Sequence, residues 1–264
     1  MSATPAPTRR RGLPALRSYF WLLLGLLYMP IILLFVFSLN ANTTLSFPLK
    51  GFTLDWYQKL FETPALLTAV KNSLIVAVTS SVAATILGTM LAILLSRFNF
   101  RGRGVLTGLA VMPLIVPYIV LAVSLLVLFT ALGIERSLVT VAIAHAVVAL
   151  PYATLIVLVR LVAAEPQLED AAMDLGATYP GTLRLVVLPM AAPAIASAWI
   201  TSFTVSFDEF ALALFLAGRE QTFPVYLIGQ LRFATTLPVL IATAVVLMAG
   251  TLTLILVADR IRRR

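Results

Sequence analysis

Asp208 and Glu209 are adjacent carboxylates in the run Ser206-Phe207-Asp208-Glu209-Phe210, inside an otherwise apolar stretch from Met190 to Leu216. The chemistry open to such a pair is electrostatic. It holds a cation or carries a proton, because ionisable groups at membrane depth are costly unless they are used or paired. Neighbouring helical positions point about 100° apart, so both cannot face lipid, and at least one must face a cavity, a partner subunit or water. Two readings are open: the pair lines a cation pathway, or it marks the outer mouth of a span, solvated or paired with Arg219 or Arg232. Ser124, Thr204 and Ser206 supply hydroxyls that can bond a solute or a neighbouring helix, packing being the stronger use.

Residues for bond-making chemistry are not assembled. His145 is the single histidine, set between Ala144 and Ala146 in the middle of an apolar run, with no HExxH pattern and no serine-plus-base arrangement around it. It is expected to be a hydrogen-bonded packing residue, with a place in a transport pathway as the other reading. The chain has no cysteine, which removes disulfides, thiolate metal sites and a thiol nucleophile. A phosphate-binding P-loop needs a glycine-rich turn followed by Lys and Ser or Thr, and Lys50, Lys59 and Lys71 all lack that setting. No cofactor and no metal are expected, and the chain is not expected to be an enzyme.

The elements that must position these groups are membrane helices. The chain is 61% hydrophobic and 11% charged, against about 25% charged residues in soluble domains. Six apolar runs reach the roughly 20 residues needed to cross a bilayer: Tyr19–Leu39, Ser73–Leu95, Val105–Leu128, Val139–Leu161, Met190–Leu216 and Pro238–Val257. The expected fold is therefore all-α, a single six-span domain over residues 19–258 with short basic tails at 1–18 and 259–264. The first tail is Pro- and Arg-rich and expected to lack fixed structure, and the first span reads as a retained anchor.

Arginines give the orientation. Arg9, Arg10, Arg11 and Arg17 precede the first span, Arg97, Arg101 and Arg103 follow the second, and Arg260, Arg262, Arg263 and Arg264 close the chain. By the positive-inside rule both termini are cytoplasmic. The net charge of +8 then follows from topology, and nucleic-acid binding, which needs a basic face on a folded soluble domain, is excluded. The outer loop Asn40–Leu66 carries an amphipathic stretch, Leu54 to Phe61, that reads as an aromatic interfacial anchor or a partner contact.

Between the fourth and fifth runs, residues 162–189 form a polar connector on the cytoplasmic side. Pro166 suits a first helical turn, with Glu169 and Asp170 near it, where acids favour the helix dipole. Leu168, Ala171, Ala172 and Leu175 fall at i, i+3, i+4 and i+7 and make an apolar stripe, with Glu169, Asp170 and Asp174 off it. Gly176 can end this helix in the left-handed conformation, and Pro180 can begin a second one leading to Leu188-Pro189. The pattern is helix, glycine turn, helix.

This connector resembles the EAA loop of ABC-transporter permeases. Asp170-Ala171-Ala172, Gly176, Val186 and Leu188-Pro189 occupy the motif's places at its spacing, with Asp170 where the family usually has Glu and Val186 where it usually has Ile. Glu169, beside Asp170, leaves open which acid serves. The runs Asn72–Arg97, Pro113–Leu126 and Ser202–Gly218 are similar to the second permease of spermidine/putrescine-type importers. The resemblance implies a six-span permease core paired with a second permease, two ATPase subunits, a periplasmic binding protein and membrane lipid. Glu169, Asp170, Ala171, Ala172, Gly176, Val186, Leu188 and Pro189 would couple to the ATPase, and Asp208, Glu209, Tyr118, Ser124 and Ser206 would line the pathway. Family polyamine permeases often have an acid where this chain has Tyr118, so the implied solute is a small cationic or zwitterionic organic molecule. A stand-alone proton-coupled transporter using Asp208, Glu209 and His145 is the alternative.

Overall fold

A computed structural model describes residues 14–44, 46–164 and 167–262, and the regular elements among the described residues are all helices. In chain order the helices are α1 (Pro14–Ser38), α2 (Asp55–Phe61), α3 (Pro64–Arg97), α4 (Arg103–Val111), α5 (Tyr118–Ala131), α6 (Leu138–Val162), α7 (Gln167–Asp174), α8 (Tyr179–Thr182), α9 (Leu188–Phe207), α10 (Ala211–Leu216), α11 (Phe223–Gln230) and α12 (Leu237–Arg262). Residues Pro14 to Ser18 are already helical, and α12 runs to Arg262. Arg9, Arg10, Arg11, Arg263, Arg264 and Pro166 lie outside the described residues.

Among the described residues, Leu16–Ser38, Pro64–Arg97, Leu138–Val162 and Tyr179–Phe207 are long and apolar enough to cross a membrane, and a bent pair brings the number to five; Leu237–Thr253 is a shorter apolar stretch. The bent pair falls on the third expected span. In place of one helix over Val105–Leu128, residues Arg103–Leu114 and Tyr118–Ala131 meet at 107°. Pro113 and Pro117 are the cause: each lacks a backbone N–H, and Pro117 drives Val116 away from helical geometry. The fifth expected span, Met190–Leu216, is also divided: α9 stops at Phe207 and α10 restarts at Ala211.

The chain forms two compact units. In one, α1 and α2 pack with α12. Trp56 of α2 is buried, its indole N–H donating to the Asn40 carbonyl at 2.8 Å, and the Tyr57 hydroxyl lies 2.7 Å from Ser38 Oγ. The aromatic pair is thus pinned to the end of α1.

The other unit, Pro64–Gly229, is built on α3, α6 and α9. Its helices approach closely because their facing positions are small: Ala84, Ala92, Ala149 and Ala153 are fully buried. Gly88 marks the tightest point, where a Cβ would sit 2.7 Å from Ala153 Cβ and 2.9 Å from the Thr154 backbone nitrogen. One buried cluster, around Val76, Ala144, Val148 and Leu212, joins α3, α5, α6 and α10; a second, around Ala92, Leu161, Val187 and Ala191, holds the opposite ends of α3, α6 and α9.

Candidate functional site

The connector between α6 and α9 has the helix, turn, helix form. α7 ends in a Schellman arrangement: the Gly176 N–H donates to Met173 O at 2.9 Å and the Ala177 N–H to Ala172 O at 3.0 Å. Gly176 adopts φ +89°, and nothing lies within 4 Å of where its Cβ would be, so the preference for glycine there comes from backbone conformation alone. After α8, residues Leu183–Val187 form a π-helical segment that runs without interruption into α9. The second connector helix is therefore the first turns of the next long helix.

The orientation of α7 reverses what its periodicity suggested. The stripe of Leu168, Ala171 and Leu175 faces outward, Leu175 being 90% exposed, while Glu169 is buried at 8%. The reason is an ion pair. Arg97, in the last turn of α3, donates from Nε to Glu169 Oε2 at 3.1 Å, and a second guanidinium nitrogen meets Oε1. The same arginine donates from Nη1 to the Leu161 carbonyl at 3.0 Å, near the end of α6. Phe98 packs edge-on against Tyr179, ring centroids 5.8 Å apart. One guanidinium thus ties α7 to the ends of α3 and α6.

Asp170, Asp174 and Arg184 are exposed, as are Met173 and Leu185. Of the motif's last positions, Val186 is half-buried and Leu188 and Pro189 are exposed. Val187, which the motif does not single out, is fully buried against Leu161 and Ala191.

At the other end of α9 the structure separates the two carboxylates. Asp208 is exposed at the helix C-cap. Glu209 turns inward and accepts hydrogen bonds from the N–H groups of Ala211 (2.9 Å), Leu212 (2.9 Å) and Ala213 (3.3 Å), which caps α10. His145 Nε2 lies 3.2 Å from Glu209 Oε2. His145 Nδ1 is 2.8 Å from Ser206 Oγ, which accepts from the Ser80 hydroxyl at 2.8 Å. Ser206, expected as a pathway hydroxyl, is buried in this chain of contacts. Ser124 is exposed with its hydroxyl donating to Val120 O at 2.8 Å, and Tyr118 is half-buried with its hydroxyl 3.4 Å from that of Tyr152. Trp199, Phe203 and Phe207 form a ladder along α9, with ring centroids 6.1 and 5.9 Å apart, that ends one residue before Asp208.

Sequence reasoning counted Arg97 only as an orienting charge and missed its pairing with Glu169. A lone arginine closing an apolar run was the available signal. Among the described residues no cluster of three or more metal-ligating side chains occurs.

The model of the family described as "Binding-protein-dependent transport system inner membrane component" matches residues 84–264. The chain is 33% identical over 248 residues to the spermidine/putrescine transport system permease protein PotC of Haemophilus influenzae, covering 94% of this chain and 96% of that protein. It is 35% identical to the putrescine transport system permease protein PotI of Escherichia coli, covering 89% and 83%. A bacterial ABC transporter involved in the import of the acidic polysaccharide alginate has a chain of the same fold, with a TM-score of 0.72 at 17% identity, covering 100% and 99%.

Proposed function

We propose that this chain, which belongs to the family of binding-protein-dependent inner-membrane transport components, couples ATP hydrolysis on a separate subunit to the import of a small organic cation. It is a multi-pass inner-membrane permease of an ABC importer. The observation that carries the coupling assignment is the outward face of α7: exposed Leu168, Met173 and Leu175 rimmed by Asp170 and Asp174, on a helix whose other side is fixed by Arg97. A short apolar patch with a charged rim suits a groove on a partner, and α7 is the segment that an ATPase dimer on the cytoplasmic side would grip.

Movement of α7 then reaches the membrane by two rigid routes. Arg97 links it to the ends of α3 and α6, and the unbroken path through the π-helical segment links the connector to α9. Closure of the ATPase dimer would shift these helices together, opening the permease pair outward to receive solute from a binding protein, and hydrolysis would return them. The basic ends of the chain are read as cytoplasmic on the positive-inside rule.

Solute chemistry is supported by the exposed Asp208 at the end of the Trp199–Phe203–Phe207 ladder. An exposed carboxylate at the end of a helix that carries aromatic rings offers ammonium groups both charge and cation–π attraction. The names of the relatives point the same way, to putrescine and spermidine. Tyr118, Ser124 and Asp208 are the proposed pathway groups, with Tyr118 offering a hydroxyl where polyamine permeases often carry an acid.

The test is ATPase stimulation. The permease, its pair, the ATPase and the binding protein are reconstituted together, and hydrolysis is followed with and without putrescine on the binding protein. Stimulation that is lost on replacing Leu175 by Asp supports the assignment; stimulation unaffected by that change removes α7 as the coupling element.

A further inference from the structure

Ser80 of α3, His145 of α6, Ser206 of α9 and Glu209, in the break between α9 and α10, form one buried chain of polar contacts. Packing alone does not explain it, because four polar side chains in a membrane protein's interior would be better replaced by apolar ones unless their arrangement is used. Ser80 donates to Ser206, the Ser206 hydroxyl meets His145 Nδ1, and the other ring nitrogen, Nε2, faces the Glu209 carboxylate at 3.2 Å.

Glu209 is fully committed. Its Oε1 accepts from Ala211, and its Oε2 accepts from Leu212 and Ala213 and faces His145. These contacts stop α9 at Phe207 and start α10 at Ala211, so the backbone turns at Asp208 and Glu209. With Glu209 held inward, Asp208 is left on the exposed side, at the end of the aromatic ladder.

We propose that His145 is a positioning residue for solute passage: by pinning Glu209 it fixes the break after α9 and so presents Asp208 to the cation. The inference rests on the reading of Asp208 as a solute-facing carboxylate, and it assigns Glu209 to architecture and not to the pathway. Leu at position 145 would leave the Glu209 carboxylate without its imidazole partner and let the turn relax. Gln at 145 carries one acceptor and one donor and can serve both Ser206 and Glu209.

The experiment uses the complete transporter in proteoliposomes with radiolabelled putrescine, and the absence of cysteine from this chain makes a thiol at position 208 the single one on it, its labelling read on this subunit after separation. D208N should raise the half-saturating putrescine concentration about tenfold, the scale of one lost charge-assisted contact. H145L should raise it similarly with a smaller change in maximal rate, the H145L/D208N pair should add little to either, and H145Q should restore normal saturation. In D208C, a cationic membrane-impermeant thiol reagent should react several-fold more slowly when H145L is added and at the original rate with H145Q. If H145L does not assemble, S206A carries both readouts, with an expected change of about threefold in the same direction. Unchanged saturation and labelling in H145L, or in S206A where H145L is lost, would overturn the proposal. An unchanged D208N would instead remove the underlying reading of Asp208, and the labelling rates would still decide whether His145 positions the break.

Discussion

Arg97 and Glu169, 72 residues apart in sequence, form an ion pair that fastens the connector helix α7 to the last turn of α3. Because the same guanidinium reaches the Leu161 carbonyl, the first turn of α7 and the ends of α3 and α6 are held at one point. The finding separates two neighbouring acids. Glu169 is buried against Arg97, and Asp170 is exposed.

Breaking this pair should damage coupling more than assembly. R97Q leaves a buried carboxylate without its cation, a loss of about 3 kcal/mol where such pairs are desolvated. Putrescine uptake per ATP hydrolysed is expected to fall at least tenfold (roughly 1.4 kcal/mol) while the ATPase still co-purifies. The reversed pair R97E/E169R should recover part of the uptake. A reversed pair no better than either single change would show that the two residues act independently.

Leu175 is 90% exposed, so replacing it by Asp costs the folded permease little. At the centre of a docking face the same change should weaken ATPase binding by about 2 kcal/mol, a loss of roughly thirtyfold in affinity. Titration of detergent-solubilised permease pair with ATPase measures it directly. Asp170→Asn should have a smaller effect in the same direction, and Glu169→Gln should leave ATPase affinity within about twofold because its side chain faces Arg97.

Gly176 separates conformation from space. No atom lies within 4 Å of a Cβ there, yet φ is +89°, so G176V should cost about 1–2 kcal/mol locally and tilt α7 away from its partner. Transport per ATP is expected to drop with G176V and to be largely kept with G176N, since asparagine tolerates the left-handed region. Equal activity of the two variants would contradict a conformational role.

Gly88 is the reverse case, with the Ala153 and Thr154 backbone in the way. G88A should lower stability by about 1–3 kcal/mol, the usual cost of overpacking, seen as a lower midpoint of thermal unfolding in detergent. G88L should prevent stable accumulation of the chain.

The parts legible in the sequence were those with local signals. Apolar runs marked the long helices, and the connector's glycine stood at the turn that the structure contains. Pro113 and Pro117 were visible too, but hydropathy does not register a bend, so the broken third span read as continuous. The orientation of α7 could not be read from periodicity because a single buried ion pair outweighs an apolar stripe on so short a helix. The chain from Ser80 to His145, Ser206 and Glu209 includes a bond between residues 126 apart in sequence and exists only once α3, α6 and α9 have packed.

The proposed driving force for solute movement through this permease is ATP hydrolysis on a partner and not an ion gradient. The most direct measurement is uptake of radiolabelled putrescine into proteoliposomes that contain the permease pair and the ATPase, with binding protein supplied on the substrate side. The expected result is accumulation that needs ATP and binding protein, persists when the proton gradient is collapsed, and falls at least tenfold in R97Q. Accumulation by the single chain, driven by a proton gradient without the ATPase, would contradict it.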